Sequence, residues 1–297
     1  MNIRDEVSLL DSWLLHLAAE RKSPQTMKTY TDGVKAFLRW AEQEEREPSL
    51  DRSTVNAFVV HLLKSGASAA TARSRQLAVR RFSAWLADEG EIDTDDLVTL
   101  KPPKLDLKVI PELDQDELER LVKVCGNDFR GLRDEAIIRL MAETGMRAGE
   151  VVAMTTEDVN LRDRVAIVRR GKGGKGRTAP FGHRTGRAID RYIRRGRSNH
   201  RMAHLPNLWL GDRQRGFSYQ ALYSALKLRA DAVGIQQFTP HMLRHTAAGR
   251  WLDAGGTETS MMRVFGWERR DQIDRYTGAT SQRRAIQEGH RLDLGDW

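Results

Sequence analysis

The sequence predicts a mainly α fold with one small β-hairpin, divided into a helical first domain and a mixed α+β second domain. Three observations predict it. Apolar residues recur at helical spacing through most of the chain, the pair Pro102-Pro103 interrupts that pattern, and residues 164–170 are β-rich and lead into a run of glycines. A chain of 297 residues has the length of about two domains.

The elements follow in order. Residues 7–19 form a first helix. Ser23-Pro24 opens a second, to about Trp40, with Thr26, Tyr30, Val34, Phe37 and Leu38 on one stripe. A third covers 53–64, carries Val55, Phe58, Val59 and Leu62 inward, and stops at Gly66. A fourth runs from Ser68 to before Gly90, with Leu77, Val79, Phe82, Trp85 and Leu86 apolar and Arg73, Arg75, Arg80 and Arg81 on its other face. That face fits either a solvated surface or a grip on phosphates. Residues 1–100 thus read as one helical domain and 101–112, with Lys101-Pro102-Pro103-Lys104, as a linker.

The second domain, 113–297, opens with a helix over 115–125 capped by Asp114. Another covers 132–143 and ends at Thr144-Gly145, and a short one starts near Ala148. The β-rich segment 164–170 pairs with 177–181 as a hairpin. Helices follow over 184–195, 218–232, 240–252 and 257–264, with a last short one over 281–292.

Bulk chemistry narrows the function classes. The formal charge of +8 favours a polyanionic partner but also fits a merely solubilising surface. Cys125 is the only cysteine, which excludes an intrachain disulfide and a cysteine-based zinc site. The start Met-Asn-Ile-Arg-Asp-Glu lacks the apolar core of a signal peptide, and no apolar run approaches the roughly 20 residues that span a bilayer, so a cytoplasmic protein without membrane contact is expected.

Three local features carry chemistry. In Glu143-Thr144-Gly145-Met146-Arg147-Ala148-Gly149-Glu150, Gly145 suits a left-handed helix cap and sets Arg147 at the start of the next helix. A cation there opposes the helix dipole, so it seeks an anion or a pair with Glu150. The stretch Arg170-Gly171-Lys172-Gly173-Gly174-Lys175-Gly176-Arg177 approaches a Walker A loop, but Arg177 replaces its lysine and Pro180 blocks the following helix. A basic hairpin tip remains, either a solvated turn or a probe for a DNA groove.

The third is Thr239-Pro240-His241-Met242-Leu243-Arg244-His245-Thr246. Thr239 as N-cap and Pro240 at the first position start a helix with Leu243, Ala247 and Trp251 on its core face. His241 and Arg244 project from its first turn, beside free backbone N–H groups, as a phosphate site. His241 and His245 also have zinc-ligand spacing, but Met242 stands where a metalloprotease carries glutamate. Two arginines, a lysine and a histidine, with no carboxylate cluster for magnesium, fit a metal-free phosphodiester reaction, since arginine forks can compensate charge on phosphate oxygens.

With these motifs in order, the chain resembles the tyrosine recombinases, the family of phage integrases, Xer-type resolvases and Cre. Thr144 to Glu150 resembles their first-arginine motif and Gly171-Lys172-Gly173-Gly174-Lys175 their hairpin-lysine motif. His241-Met242-Leu243-Arg244-His245 matches their His-x-x-Arg-His, and Phe265-Gly266-Trp267 with Asp274-Arg275-Tyr276-Thr277 falls where they carry a final His or Trp and the nucleophile.

The resemblance implies an α-helical core-binding domain followed by a mixed catalytic domain, and a site-specific recombinase that works through a 3′-phosphotyrosine on Tyr276 without metal, ATP or other cofactor. It implies that Arg147 and Arg244 neutralise the phosphate, His241 accepts the tyrosine proton, Lys172 protonates the leaving hydroxyl and Trp267 hydrogen-bonds the phosphate. Glu150 would orient these groups from behind. Arg73, Arg75, Arg80, Arg81, Lys175 and Arg177 would bind DNA. The implied partners are double-stranded DNA carrying a recombination site and a homo-tetramer in which residues 281–292 dock on a neighbour; an accessory factor is not implied.

Two departures stand out. Most members have histidine where Trp267 sits, and no arm-site domain of the phage-integrase kind is expected ahead of the helical domain. The residues alone do not choose among the five tyrosines: Tyr219 and Tyr223 read as core packing at i, i+4, and Tyr192 lies among arginines. A DNA-binding relative that no longer cuts, a type IB topoisomerase and, more distantly, a P-loop NTPase are the competing classes.

Overall fold

Helix starts follow the chain's own punctuation. In the computed structural model, which describes residues 3–105, 111–169, 176–212 and 216–269 together with 273, 285–286 and 288–292, the chain divides into units Met1–Lys108 and Val109–Trp297.

The first unit holds helices α1 (Ile3–Ala19), α2 (Pro24–Gln43), α3 (Arg52–Lys64) and α4 (Ala69–Asp88). Ser23, Asp51 and Ser68 each accept the backbone N–H of the residue three on, at 3.1, 2.9 and 3.1 Å. Such caps satisfy amides that the first turn leaves unpaired. Hydrogen bonds from Ser49 and from the Thr54 amide bring the Asp51 carboxyl down to about 2. Aromatic pairs fill the core, with Trp13 and Phe82 centroids 5.1 Å apart and Phe37 edge-on to Phe58 at 5.4 Å.

One expectation for α4 is corrected. Leu77 is 38% exposed, because Ala72, Gln76, Val79 and Ser83 take the inner face and Leu77 falls beside Arg73 and Arg81. Arg80 is engaged inside the unit: its Nε and Nη2 donate to the Leu97 and Val98 carbonyls at 3.1 and 2.9 Å, closing the turn before the proline segment. Arg73 and Arg81 are exposed, whereas Arg75 is half-buried.

The second unit begins with α5 (Gln115–Lys123), whose Asp114 and Glu117 form a reciprocal capping box at 2.7 and 3.0 Å. Next comes α6 (Phe129–Thr144), three residues longer at its start than its apolar periodicity indicates. This helix is buried almost all round. Its Arg133 and Asp134 are inside because they neutralise each other at 2.9 Å, and Arg229 meets the second Asp134 oxygen at 3.1 Å.

A one-turn α7 (Ala148–Val152) leads to a three-stranded antiparallel sheet of β1 (Val159–Asn160), β2 (Val165–Val168) and β3 (Arg177–Pro180), in that order. Val168 faces Arg177 and Val165 faces Pro180. Ala166 and Val168 point inward while Ile167 points out. The strand β1, only two residues long, is invisible to periodicity. Lys172 and Lys175 of the expected hairpin tip lie outside the described residues.

Helix α8 (His183–Arg191) continues as a π-helical turn, Tyr192–Arg197, past the expected end. Helices α9 (Tyr219–Ala232), α10 (Pro240–Asp253) and α11 (Glu258–Phe265) complete the unit. Ser218 and Thr257 cap their helices by side chain; Thr239 occupies the N-cap position of α10 without a side-chain cap bond. Instead α10 is tied from outside, where the Leu113 N–H donates to Thr246 Oγ1 at 2.8 Å. Of the expected C-terminal helix, 285–286 and 288–292 are helical and exposed; Tyr276 lies outside the described residues.

Candidate active site

Two glycine caps organise the site. Gly145 ends α6 at φ 61° and Gly266 ends α11 at φ 64°, both in the left-handed region that favours glycine. Each turn presents carbonyls to an arginine. Arg244 donates through Nη1 to the Gly145 carbonyl and through Nη2 to the Phe265 carbonyl at 2.8 Å. Arg147 donates through Nη2 to the Gly266 carbonyl at 3.2 Å.

Arg244 is only 1% exposed. Its guanidinium carbon lies 5.3 Å from the Trp267 ring centroid and 5.6 Å from that of Phe265, a cation held against two aromatic faces. Trp267 is buried with Ala247, Ala248, Met261, Phe265 and Ile273. Ile273 stands three residues before Tyr276 in the chain.

Arg147 stands at the N-cap of α7. Its backbone N–H donates to Glu150 Oε2 at 2.8 Å and its Nη1 to Oε1 at 2.9 Å. Glu150 is also met by Arg177 from β3, through Nη1 to Oε1 at 2.9 Å and Nη2 to Oε2 at 2.6 Å. Burial pushes the Glu150 carboxyl up, but the Arg177 bonds, the Arg147 amide, the Arg177 charge and the Arg147 side-chain bond outweigh it and hold the group below its ordinary range. The sequence expectation of an Arg147–Glu150 pair is met with an addition it lacked. Arg177 is not at an exposed hairpin tip. Its side chain is 9% exposed, with Nε donating to the Val264 carbonyl at 2.8 Å.

These groups face a cleft of about 600 Å³ lined by Met146, Arg147, Glu150, Ile167, Arg169, Tyr219, Pro240, His241 and Arg244. The exposed His241 sits at its rim. Partial desolvation, together with the fields of Arg244 and Arg147, lowers its pKa from the ordinary 6.5. His245, by contrast, is buried. At the cleft's other edge Arg169 pairs through Nε with Asp158, and Asp158 caps Thr155 at 2.7 Å, which pins the root of the hairpin.

The tyrosines now separate. Tyr192 is fully buried, donates to the Leu208 carbonyl at 3.2 Å and accepts the Leu210 N–H at 3.0 Å; burial pushes its pKa up to about 12. Tyr30 stacks on Trp13 in the first unit. Tyr219 is corrected: it is 49% exposed and lines the cleft, because the N-terminal turn of α9 projects beyond the core.

Residues 111–283 match the phage integrase family and residues 10–90 its N-terminal SAM-like domain. The chain belongs to the phage integrase family, the tyrosine recombinases, enzymes that cleave and rejoin DNA.

It is 30% identical over 264 residues to tyrosine recombinase XerC of Xanthomonas campestris pv. campestris (strain B100), covering 88% of this chain and 80% of the relative. It is 29% identical over 301 residues to tyrosine recombinase XerA of Pyrococcus horikoshii, covering 99% and 98%. In fold it is similar to a lambda integrase dimer bound to a COC′ core site, with TM-score 0.70 and 17% identity over 91% of this chain and 94% of that one. A Tn1549 transposon integrase in complex with transposon right end DNA gives TM-score 0.71 and 16% identity over 96% and 99%.

Proposed function

We propose that this site-specific recombinase cuts one strand of its DNA site by attack of Tyr276 Oη on the scissile phosphorus. An O–P bond forms to the phenol oxygen and the P–O5′ bond breaks, leaving a 3′-phosphotyrosine and a free 5′-hydroxyl. The phenol proton goes to His241, and Lys172 supplies the proton that the departing O5′ takes up. Rejoining is the same step reversed on a partner strand. One phosphodiester replaces another of similar energy, so ATP is not required.

The observation that carries the assignment is the convergence of Arg147, Arg244 and His241 on one cleft. Two guanidiniums held by carbonyls and by Glu150 meet a phosphate already oriented, which is where charge develops in phosphoryl transfer. A neutral His241, its pKa lowered by partial burial and by those same cations, is in the form that accepts a proton. Trp267, under Arg244, fixes that guanidinium's plane.

The partner is double-stranded DNA, gripped in part by Arg73 and Arg81, and strand exchange uses four copies of the chain in the cytoplasm. Base contacts set the target site. The test is binding without chemistry: Tyr276→Phe should retain affinity for a target duplex within about 3-fold while forming no covalent product. Covalent product from that variant would contradict the assignment.

A further inference from the structure

We infer that Arg177 is a positioning residue that keeps Arg147 available to the phosphate, an assignment that rests on the proposed function. Arg147, Glu150 and Arg177 form a three-charge row in which one carboxylate is shared by two guanidiniums, and Arg177 holds it by both oxygens, at 2.9 and 2.6 Å. Arg147 has only a single side-chain bond to it, at 2.9 Å. The fork-on-fork geometry belongs to Arg177, and fork pairs are the stronger kind. Arg147, 26% exposed beside the cleft, keeps donors for a ligand.

Charge gives the same answer. With Arg177 present the row carries one net positive charge toward the cleft; without it, Glu150 and Arg147 cancel, and the Glu150 carboxylate, left with Arg147 as its cation, draws the Arg147 fork further inward. Arg177 also joins three segments. Its backbone is in β3, its fork reaches α7, and its Nε reaches the Val264 carbonyl near the end of α11. A Cβ on Gly266 would lie 3.0 Å from Arg177 Nη1, so the turn that leads to Trp267 is shaped around this guanidinium. Hairpin, first arginine and the approach to the nucleophile share one clasp.

The test is single-turnover cleavage of saturating nicked duplex by wild type, Arg177→Met, Arg177→Lys and the double variant Arg177→Met/Glu150→Gln, with DNA affinity and thermal unfolding measured on each. Arg177→Met should cleave about 100-fold more slowly, with affinity within about 3-fold. The double variant removes the carboxylate that captures Arg147, restores the net positive charge, and should recover at least about 10-fold over Arg177→Met, a gain that a merely structural arginine does not predict. Arg177→Lys keeps the charge but not the fork and should fall between.

Cleavage by folded Arg177→Met at the wild-type rate overturns the inference, as does a folded double variant no faster than the single one. If Arg177→Met fails to fold, Arg177→Lys decides: slowed cleavage at unchanged affinity supports the clasp and an unchanged rate overturns it. An inactive wild type, with no adduct on Tyr276, contradicts the proposed function itself and the inference with it; an active wild type isolates the result to Arg177.

Discussion

Gly145 lies directly against the edge of the Phe265 ring, so closely that a Cβ on Gly145 would overlap it. The caps of α6 and α11 thus press on each other, and the carbonyls of these two residues both receive Arg244. Gly145→Ala would add left-handed strain of about 1 kcal/mol to a steric clash of about 1–3 kcal/mol. The expected outcome is a fall of roughly 2 kcal/mol or more in unfolding free energy, read by denaturant titration, with cleavage lost together with Arg244 placement.

Arg147 and Arg244 should differ when removed. Either alanine variant should slow cleavage by about 100- to 1,000-fold, as expected when a donor to the developing charge is lost. Only Arg244→Ala should also lower stability clearly, because it strands the buried carbonyls of Gly145 and Phe265. Single-turnover kinetics and thermal unfolding on the same two proteins separate the effects.

His241 should titrate below its ordinary 6.5. Its proton-accepting form is therefore the major one at neutral pH, and the cleavage rate of the free enzyme on limiting DNA should drop as pH falls through that lowered value. A depressed histidine pKa means the folded state holds fewer protons than the unfolded one, so this group also removes stability as pH falls below 6.5. Proton NMR of the His241 ring should show the shift, and Arg147→Ala should move the titration back upward. A wild-type titration above 6.5 would rule out desolvation and the two arginine charges as the dominant influences on this ring.

Tyr192→Phe should destabilise without touching the chemistry. Its hydroxyl bridges the Leu208 carbonyl and the Leu210 N–H in a buried setting, and its loss leaves both unmet at a cost of about 1–3 kcal/mol. Covalent adduct per folded molecule should stay at the wild-type level.

Helix starts were readable in the sequence because caps are local. Ser23, Asp114, Ser218 and Thr257 each bond an amide three residues away, within the reach of a short window. Arg177 was not readable, because its partners stand 27 and 87 residues away and a charge after a glycine run looks exposed by composition. Leu77 and Tyr219 misled for a related reason: periodicity defines faces but not which face a neighbour covers. The cleft's Arg147, His241 and Arg244 were each visible as motifs, whereas their convergence depends on the carbonyls of Gly145, Phe265 and Gly266, which no side-chain pattern encodes.

Mapping the covalent adduct tests the assignment of Tyr276 most directly. Nicked suicide duplexes tiled across the DNA flanking the gene would be incubated with the protein in chelator and without ATP, and the adduct located by peptide digestion. The expected result is a 3′-phosphate on Tyr276 and none from Tyr276→Phe. An adduct on Tyr219, the tyrosine that lines the cleft, or a duplex bound tightly with no adduct at all, would contradict it.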